Sequence, residues 1–131
     1  WENKAVVVVE GTRTHNGVGN DLLDTAASVE RIICPPRDAY GAIPRILEAC
    51  EVYGKDRLFL LSVGVAAKFL ALELFQKGYR VLDIGHMDME YEWYVRQVPD
   101  KCKIEKHEIE SEDANKEAGY TQYLSQIKVR L

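Results

Sequence analysis

No cysteine pairing motif occurs in the 131 residues: Cys34, Cys50 and Cys102 are odd in number and far apart, with no CxxC spacing. That excludes the usual zinc ligand sets and a disulfide framework. Cys34 and Cys50 stand among apolar residues and read as small buried hydrophobes, which fits a reducing, cytoplasmic setting. An excess of positive charge is also missing. The net charge of -4 offers no electrostatic reason to expect nucleic acid or an anionic membrane as partner, although single arginines and backbone dipoles still bind phosphate on an acidic protein. Long apolar runs are missing too. The most apolar stretch, 58–75, is interrupted by Ser62, Gly64, Lys68 and Glu73, so it reads as strand, turn and amphipathic helix rather than a membrane span. The chain opens Trp1-Glu2-Asn3-Lys4, without the basic start of a signal peptide, and an opening on Trp reads as a piece of a longer protein. There is no internal repeat.

What is present suits one soluble globular domain, with 47% hydrophobic and 29% charged residues. Ala5-Val6-Val7-Val8-Val9 is a run of β-branched residues, the pattern of a strand buried on both faces. A Gly-, Thr- and Asn-rich loop follows over 10–20, then a short helix over 21–27 capped by Asn20 or Asp21. Arg31-Ile32-Ile33-Cys34 is a second strand, stopped by Pro35-Pro36. Apolar spacing predicts a helix over 38–53 with Gly54 as its C′ residue, a strand over 58–63, a helix from Gly64 through Phe75 and a strand over 80–84. Strands alternating with helices mean a Rossmann-like three-layer α/β fold on a mainly parallel sheet of four to five strands. Residues 1–97 form that βα unit. Residues 98–131 are a charged extension with an edge strand over 105–113 and a last helix over 120–127.

Parallel sheets bind ligands beyond the carboxyl ends of their strands, which selects three segments. In the first, Gly17-Val18-Gly19-Asn20-Asp21-Leu22 permits close backbone approach, and a helix start there would direct N–H groups at an anion. Arg13 can pair with a phosphate in bidentate fashion. As a dinucleotide fingerprint the segment fails: its third glycine position is Leu22, and no acid ends the second strand. A flexible turn before a capped helix explains it equally well. The second segment, Ser62-Val63-Gly64-Val65-Ala66-Ala67, can receive a diphosphate or can be small so that a helix packs close to the sheet.

The third segment, Asp83-Ile84-Gly85-His86-Met87-Asp88-Met89-Glu90-Tyr91-Glu92, mixes acids, a histidine and aromatics. If a helix begins near Met87, His86 and Glu90 share a face, as do Asp88 and Glu92. Either pair combines a base with a group that orients it. Asp88-x-Glu90 also has the spacing by which two carboxylates hold a divalent cation, making Asp88 a candidate ligand. Asp88 taken alone reads as an acid meeting the helix dipole; His86 and the carboxylates together read as chemistry. His15 can reach the same edge, whereas His107 reads as an exposed tail residue. A phosphorylatable receiver domain needs more acids at strand ends than Glu10 and Asp83 offer.

These residues resemble a known family. Glu10-Gly11, the string from Gly17 to Leu22, Arg31 to Pro35, and above all Gly78-Tyr79-Arg80-Val81-Leu82-Asp83-Ile84-Gly85-His86-Met87-Asp88-Met89-Glu90-Tyr91-Glu92-Trp93 are similar to the later half of bacterial GT-D-type glycosyltransferases. The resemblance runs from the start of the chain to the mid-90s. It implies transfer of a sugar from a UDP-sugar donor to a hydroxyl of a glycan or glycoprotein acceptor. By that resemblance the loop of Gly17, Gly19, Asn20 and Asp21 lies near the donor nucleotide, to which Arg13 and Gly64 are added as candidate nucleotide-sugar contacts from their own positions. His86, Asp88, Glu90 and Glu92 then lie near the reacting centre, with Glu92 or His86 as the base. The family's metal, Mn2+ or Mg2+, sits on an Asp-Gly-Glu motif that this chain lacks, and Asp88-x-Glu90 is no substitute for it by analogy. Half of such a domain exposes an apolar edge, so a homo-oligomer is expected. The alternative is a non-catalytic nucleotide-sugar-binding or oligomerisation module derived from the same fold.

Overall fold

The computed structural model describes residues 1–113 and 120–131; the part of the charged tail at 114–119 lies outside them. Five strands, β1 (Ala5–Gly11), β2 (Ser28–Cys34), β3 (Leu58–Ser62), β4 (Arg80–Asp83) and β5 (Ile127–Arg130), make one sheet in the order β4-β3-β1-β2-β5. Every pairing is parallel. The helices are α1 (Ile43–Glu51), α2 (Ala66–Gln76), α3 (Met87–Arg96) and α4 (Thr121–Gln126). The result is the expected three-layer α/β arrangement.

The valine run explains the central strand. Side chains alternate across a strand, so Val7 and Val9 enter the core shared with α1 and α2, while Val6 and Val8 enter a second core with Leu23, Leu60 and Ile84. All four valines are fully buried, and each contributes about 1.5–3 kcal/mol relative to exposure. Phe59 and Leu61 of β3 pack with Leu70 and Leu74 of α2 in the first core. A third cluster joins Val18 and Ile33 to Tyr120 and Tyr123. Cys34 and Cys50 lie in the first core as free thiols, and burial pushes both up to about 12, so they behave as apolar groups at neutral pH.

Three expectations are corrected. Residues 21–27 form no helix. Asn20 Oδ1 accepts the Leu22 N–H, an Asx-type turn, and the backbone then ties back to the chain's start through Asn3 N–H to Thr25 O and Ala27 N–H to Lys4 O. Residues 105–113 are not an edge strand: Glu105–Glu108 is a single 3-10 turn, and the edge beside β2 is taken by β5. Finally, α1 starts at Ile43, with Pro44 in its first turn, where a missing N–H costs nothing. A start at 38 would put that proline in the helix interior. The helix ends on a right-handed Val52, and Gly54 is not left-handed.

Candidate active site at the carboxyl ends of the strands

Chain order reverses between β1 and β3, since β2 lies on one side of β1 and β3 on the other. Such a switch point leaves a crevice where the loops diverge, the usual ligand position in open parallel sheets. A cavity of about 310 Å³ occupies it, bordered by Gly11, Pro36, Ser62, Gly64, Gly85 and His86. A neighbouring cavity of about 190 Å³ is bordered by Arg13, Thr14, His86, Asp88 and His107. The two share Thr14 and His86. A larger cavity of about 510 Å³ lies on the far side of the glycine loop, beside β2 and α4, away from these side chains.

Strand β4 ends in a turn that launches α3. Gly85 has φ +50, a left-handed conformation that suits glycine, and Asp83 Oδ1 accepts its N–H. His86 is the N-cap of α3, exposed and without a capping hydrogen bond. Within the next two turns, Asp88 and Glu92 are almost fully buried. Asp88 therefore does not cap the helix. Its Oδ1 accepts the Gly17 N–H (2.7 Å) and the Asn20 amide (3.1 Å), and its Oδ2 meets Lys106 Nζ (2.7 Å) and His107 Nε2 (2.9 Å). Glu92 accepts from Asn20 (2.7 Å), Lys106 (3.0 Å) and Arg96 (3.0 Å). Burial alone would push the Asp88 carboxyl up; the His107 and Lys106 donors and the Lys106 charge outweigh it and hold it below its ordinary value. The same contest, with Asn20 and Lys106 as donors, lowers Glu92.

The sequence-predicted residues thus divide. His86 and Gly64 border the crevice, and Arg13 borders the smaller cavity beside it. Glu90 is exposed on the first turns of α3. For Gly17, Gly19, Asn20 and Asp21 the helix-start argument falls, since no helix directly follows them; Gly17 and Gly19 border the 510 Å³ cavity beside β2 and α4. The loop is instead tied to α3, by Gly17 and Asn20 as above and by the Tyr91 hydroxyl donating to Asp21. Of the small residues after β3, Ala66 and Ala67 are buried against the sheet, whereas Gly64, at φ +58, is open to the crevice. The packing reading holds for Ala66 and Ala67, and Gly64 leaves the crevice side open.

His15 does not reach the edge. It is fully buried at φ +48 against Tyr120 and Tyr123. Neither ring nitrogen makes a hydrogen bond of normal geometry, although the Arg13 and Lys106 backbones lie near enough to act on it. Beneath it, Glu10 accepts from Arg31 (2.6 Å) and from Asn16, at both its backbone N–H (2.9 Å) and its amide (2.8 Å). His107 is no free tail residue either: besides Asp88, it contacts the Arg13 carbonyl at 3.2 Å. Lys106, His107 and Glu110 escaped the sequence reading because their partners lie 14 to 98 positions away. The one local hint is a Lys-His pair set between acids.

The carboxylates present do not suit a metal ion. A divalent cation needs carboxylate charge and oxygens to spare, but Asp88 and Glu92 already pair with Lys106, His107 and Arg96. Among the described residues no group of three or more His, Cys, Asp and Glu converges as a metal would require.

Comparison with known proteins places this geometry. A family model described as the glycosyltransferase GT-D fold matches residues 1–112. The chain is 46% identical over 111 residues to a probable glycosyl transferase Gly of Streptococcus gordonii, covering 84% of this chain and 16% of that protein. It is 44% identical over 111 residues to the glycosyltransferase GlyD of Streptococcus pneumoniae serotype 4, covering 84% and 14%. A solved structure described as a new glycosyltransferase (DUF1792) from Streptococcus sanguinis superposes with TM-score 0.87 at 39% identity, over 100% of this chain and 50% of that one. The chain therefore spans half of that solved relative and a small part of the curated ones.

Proposed function

Because the chain belongs to the family of GT-D-fold glycosyltransferases, we propose that its β1/β3 crevice receives the nucleotide end of a UDP-sugar, whose sugar passes to a hydroxyl of a glycan or glycoprotein acceptor. One observation carries this reading. His86, the exposed histidine of the strand-end turn, stands where two cavities meet at the switch point, on a helix locked from behind by buried ion pairs. That is a free imidazole on a rigid mount, as proton abstraction requires. In this reading His86 takes the acceptor's proton and Glu90, at helical spacing on the same face, orients it. Glu92 is a positioning residue instead of the base, since its oxygens are engaged. Gly64 and the start of α2, which has no side-chain cap, receive the diphosphate, with Arg13 in the adjoining cavity as a second anion contact. No step is assigned to a metal, and a cytoplasmic setting belongs to the same proposal.

Two measurements test it. UDP at a hundred times its dissociation constant should stabilise the chain by about 2.7 kcal/mol; no thermal shift with any nucleotide refutes donor binding. In transfer or UDP-sugar hydrolysis assays, His86→Ala should lose roughly 10²–10⁴-fold in rate without losing melting temperature. Equal rates would remove His86 from the chemistry.

The alternative, an oligomerisation module, is favoured by a specific surface. Phe75, Leu72 and Leu82 are exposed along α2 and the unpaired edge strand β4, a face that a second copy would cover. Light scattering showing a defined dimer that ignores nucleotides would select this reading.

A further inference from the structure

Segment 104–111 is a strap over the site's loop. Ile104 is buried, Lys106 Nζ donates to the Val18 carbonyl at 2.7 Å, and the Ser111 N–H donates to the Thr12 carbonyl at 2.7 Å. At its end the strap inserts one carboxylate where β1 gives way to the loop. Glu110 accepts from the Thr12 hydroxyl and, at 2.5 Å, from Arg13 Nε. The three residues border a cavity of about 430 Å³, and the only other charged residue on its wall is Arg37. Arg37 is exposed, with no carboxylate at ion-pair distance among the described residues.

We propose that Thr12, Arg13 and Arg37 form a subsite for a phosphate-class anion, and that Glu110 is its resident carboxylate, displaced when the anion enters. The inference rests on the reading of the crevice as a nucleotide site, which this cavity adjoins through Gly11, Thr14, Pro36 and Arg37. A carboxylate offers two oxygens and one charge; a diphosphate offers more of both and engages the Arg13 fork bidentately. The Glu110 side chain is 32% exposed, so it can rotate out. Lys106, His107 and Ile104 meanwhile keep the strap in place. The resident acid acts as a selectivity gate: a monoanion gains little by replacing it, whereas a diphosphate gains a second cation, Arg37.

The test is calorimetric titration of inorganic pyrophosphate, and separately of UDP, into the chain and its E110Q and R37A variants. E110Q should bind pyrophosphate about two- to five-fold more tightly, the scale of an exposed ion pair no longer competing. R37A, an exposed substitution that leaves the strap untouched, should bind it at least about three-fold more weakly. Equal affinity in wild type and E110Q overturns the gate, and an unchanged R37A overturns the subsite. UDP binding without pyrophosphate binding leaves the nucleotide crevice standing and removes this subsite. Binding of neither ligand removes both.

Discussion

Replacing Lys106 with Met should be the most damaging single change near the site. Lys106 Nζ lies 2.7 Å from Asp88 and 3.0 Å from Glu92, and its side chain is only 10% exposed. At an effective dielectric constant of about 20, each contact carries roughly 6 kcal/mol of gross attraction. Desolvation of the ammonium offsets much of this, so an intact buried pair adds little net stability. Methionine fills the same volume but leaves two carboxylates, 2% and 8% exposed, facing each other. Breaking a buried pair in this way costs about 3–5 kcal/mol, or roughly 12–18 °C in melting temperature for a domain of this size. The sign with pH follows. In the wild type the folded carboxyl pKa values lie below their ordinary 3.8 and 4.5, so their contribution is full above those values and is lost as pH falls through the folded ones. In K106M mutual repulsion raises the folded values, so protonation relieves the variant. The gap between the two proteins should therefore be widest at pH 7–8 and narrow towards pH 5. Urea unfolding followed by circular dichroism measures it. A loss under about 1 kcal/mol, or an equal loss when D88N is added to K106M, would refute the view that Lys106 neutralises this pair.

Two further predictions concern the loop. Burial lowers the His15 pKa below 6.5, so the fold favours the neutral ring. Stability should fall as pH drops below about 6.5, by at most about 1.4 kcal/mol per pH unit. His15→Phe should abolish that part of the pH dependence in melting scans, and an unchanged profile would assign it elsewhere. Gly17 and Gly19 share φ near +74, but a Cβ at Gly17 would sit 2.9 Å from Leu23, whereas one at Gly19 meets nothing within 4 Å. Gly19→Ala should thus cost about 1 kcal/mol from backbone strain alone and Gly17→Ala about 1–3 kcal/mol more; equal losses in chemical denaturation would show that the loop gives way at no cost.

The parallel sheet was legible because its signal is local. Ala5 to Val9, Leu58 to Ser62 and Arg80 to Asp83 each carry their strand pattern within a few residues, and a helix separates each later pair. The misread elements are those where polar side chains decide. Residues 21–27 hold enough alanine and leucine for a helix, yet Asn20 turns the chain and the N-terminal segment takes its backbone groups. Residues 105–113 alternate like a strand, yet their polar members face Asp88, Thr12 and Arg13 instead of solvent. No period in the sequence reports a partner 97 positions away.

Which site residues share a helix face was legible, and what surrounds them was not, for the same reason. Spacing correctly placed Asp88 and Glu92 on one helix face, but which face meets the cavity depends on what lies opposite each. Asn20, Lys106 and the Gly17 N–H lie opposite the two acids, whereas His86 makes no capping hydrogen bond among the described residues. A carboxylate already engaged by cations and amides is a poorer proton acceptor, and its lowered pKa weakens it further as a base. The dense acidic turn is therefore two devices on one helix: a buried acid pair that fixes α3 to the glycine loop, and a single exposed histidine that the pair holds still. Substituting Glu92 should accordingly act through melting temperature first, and substituting His86 through rate alone. If Glu92→Gln lost rate at unchanged stability, and with a shifted pH profile, the division would be wrong and the buried acid would be the base after all.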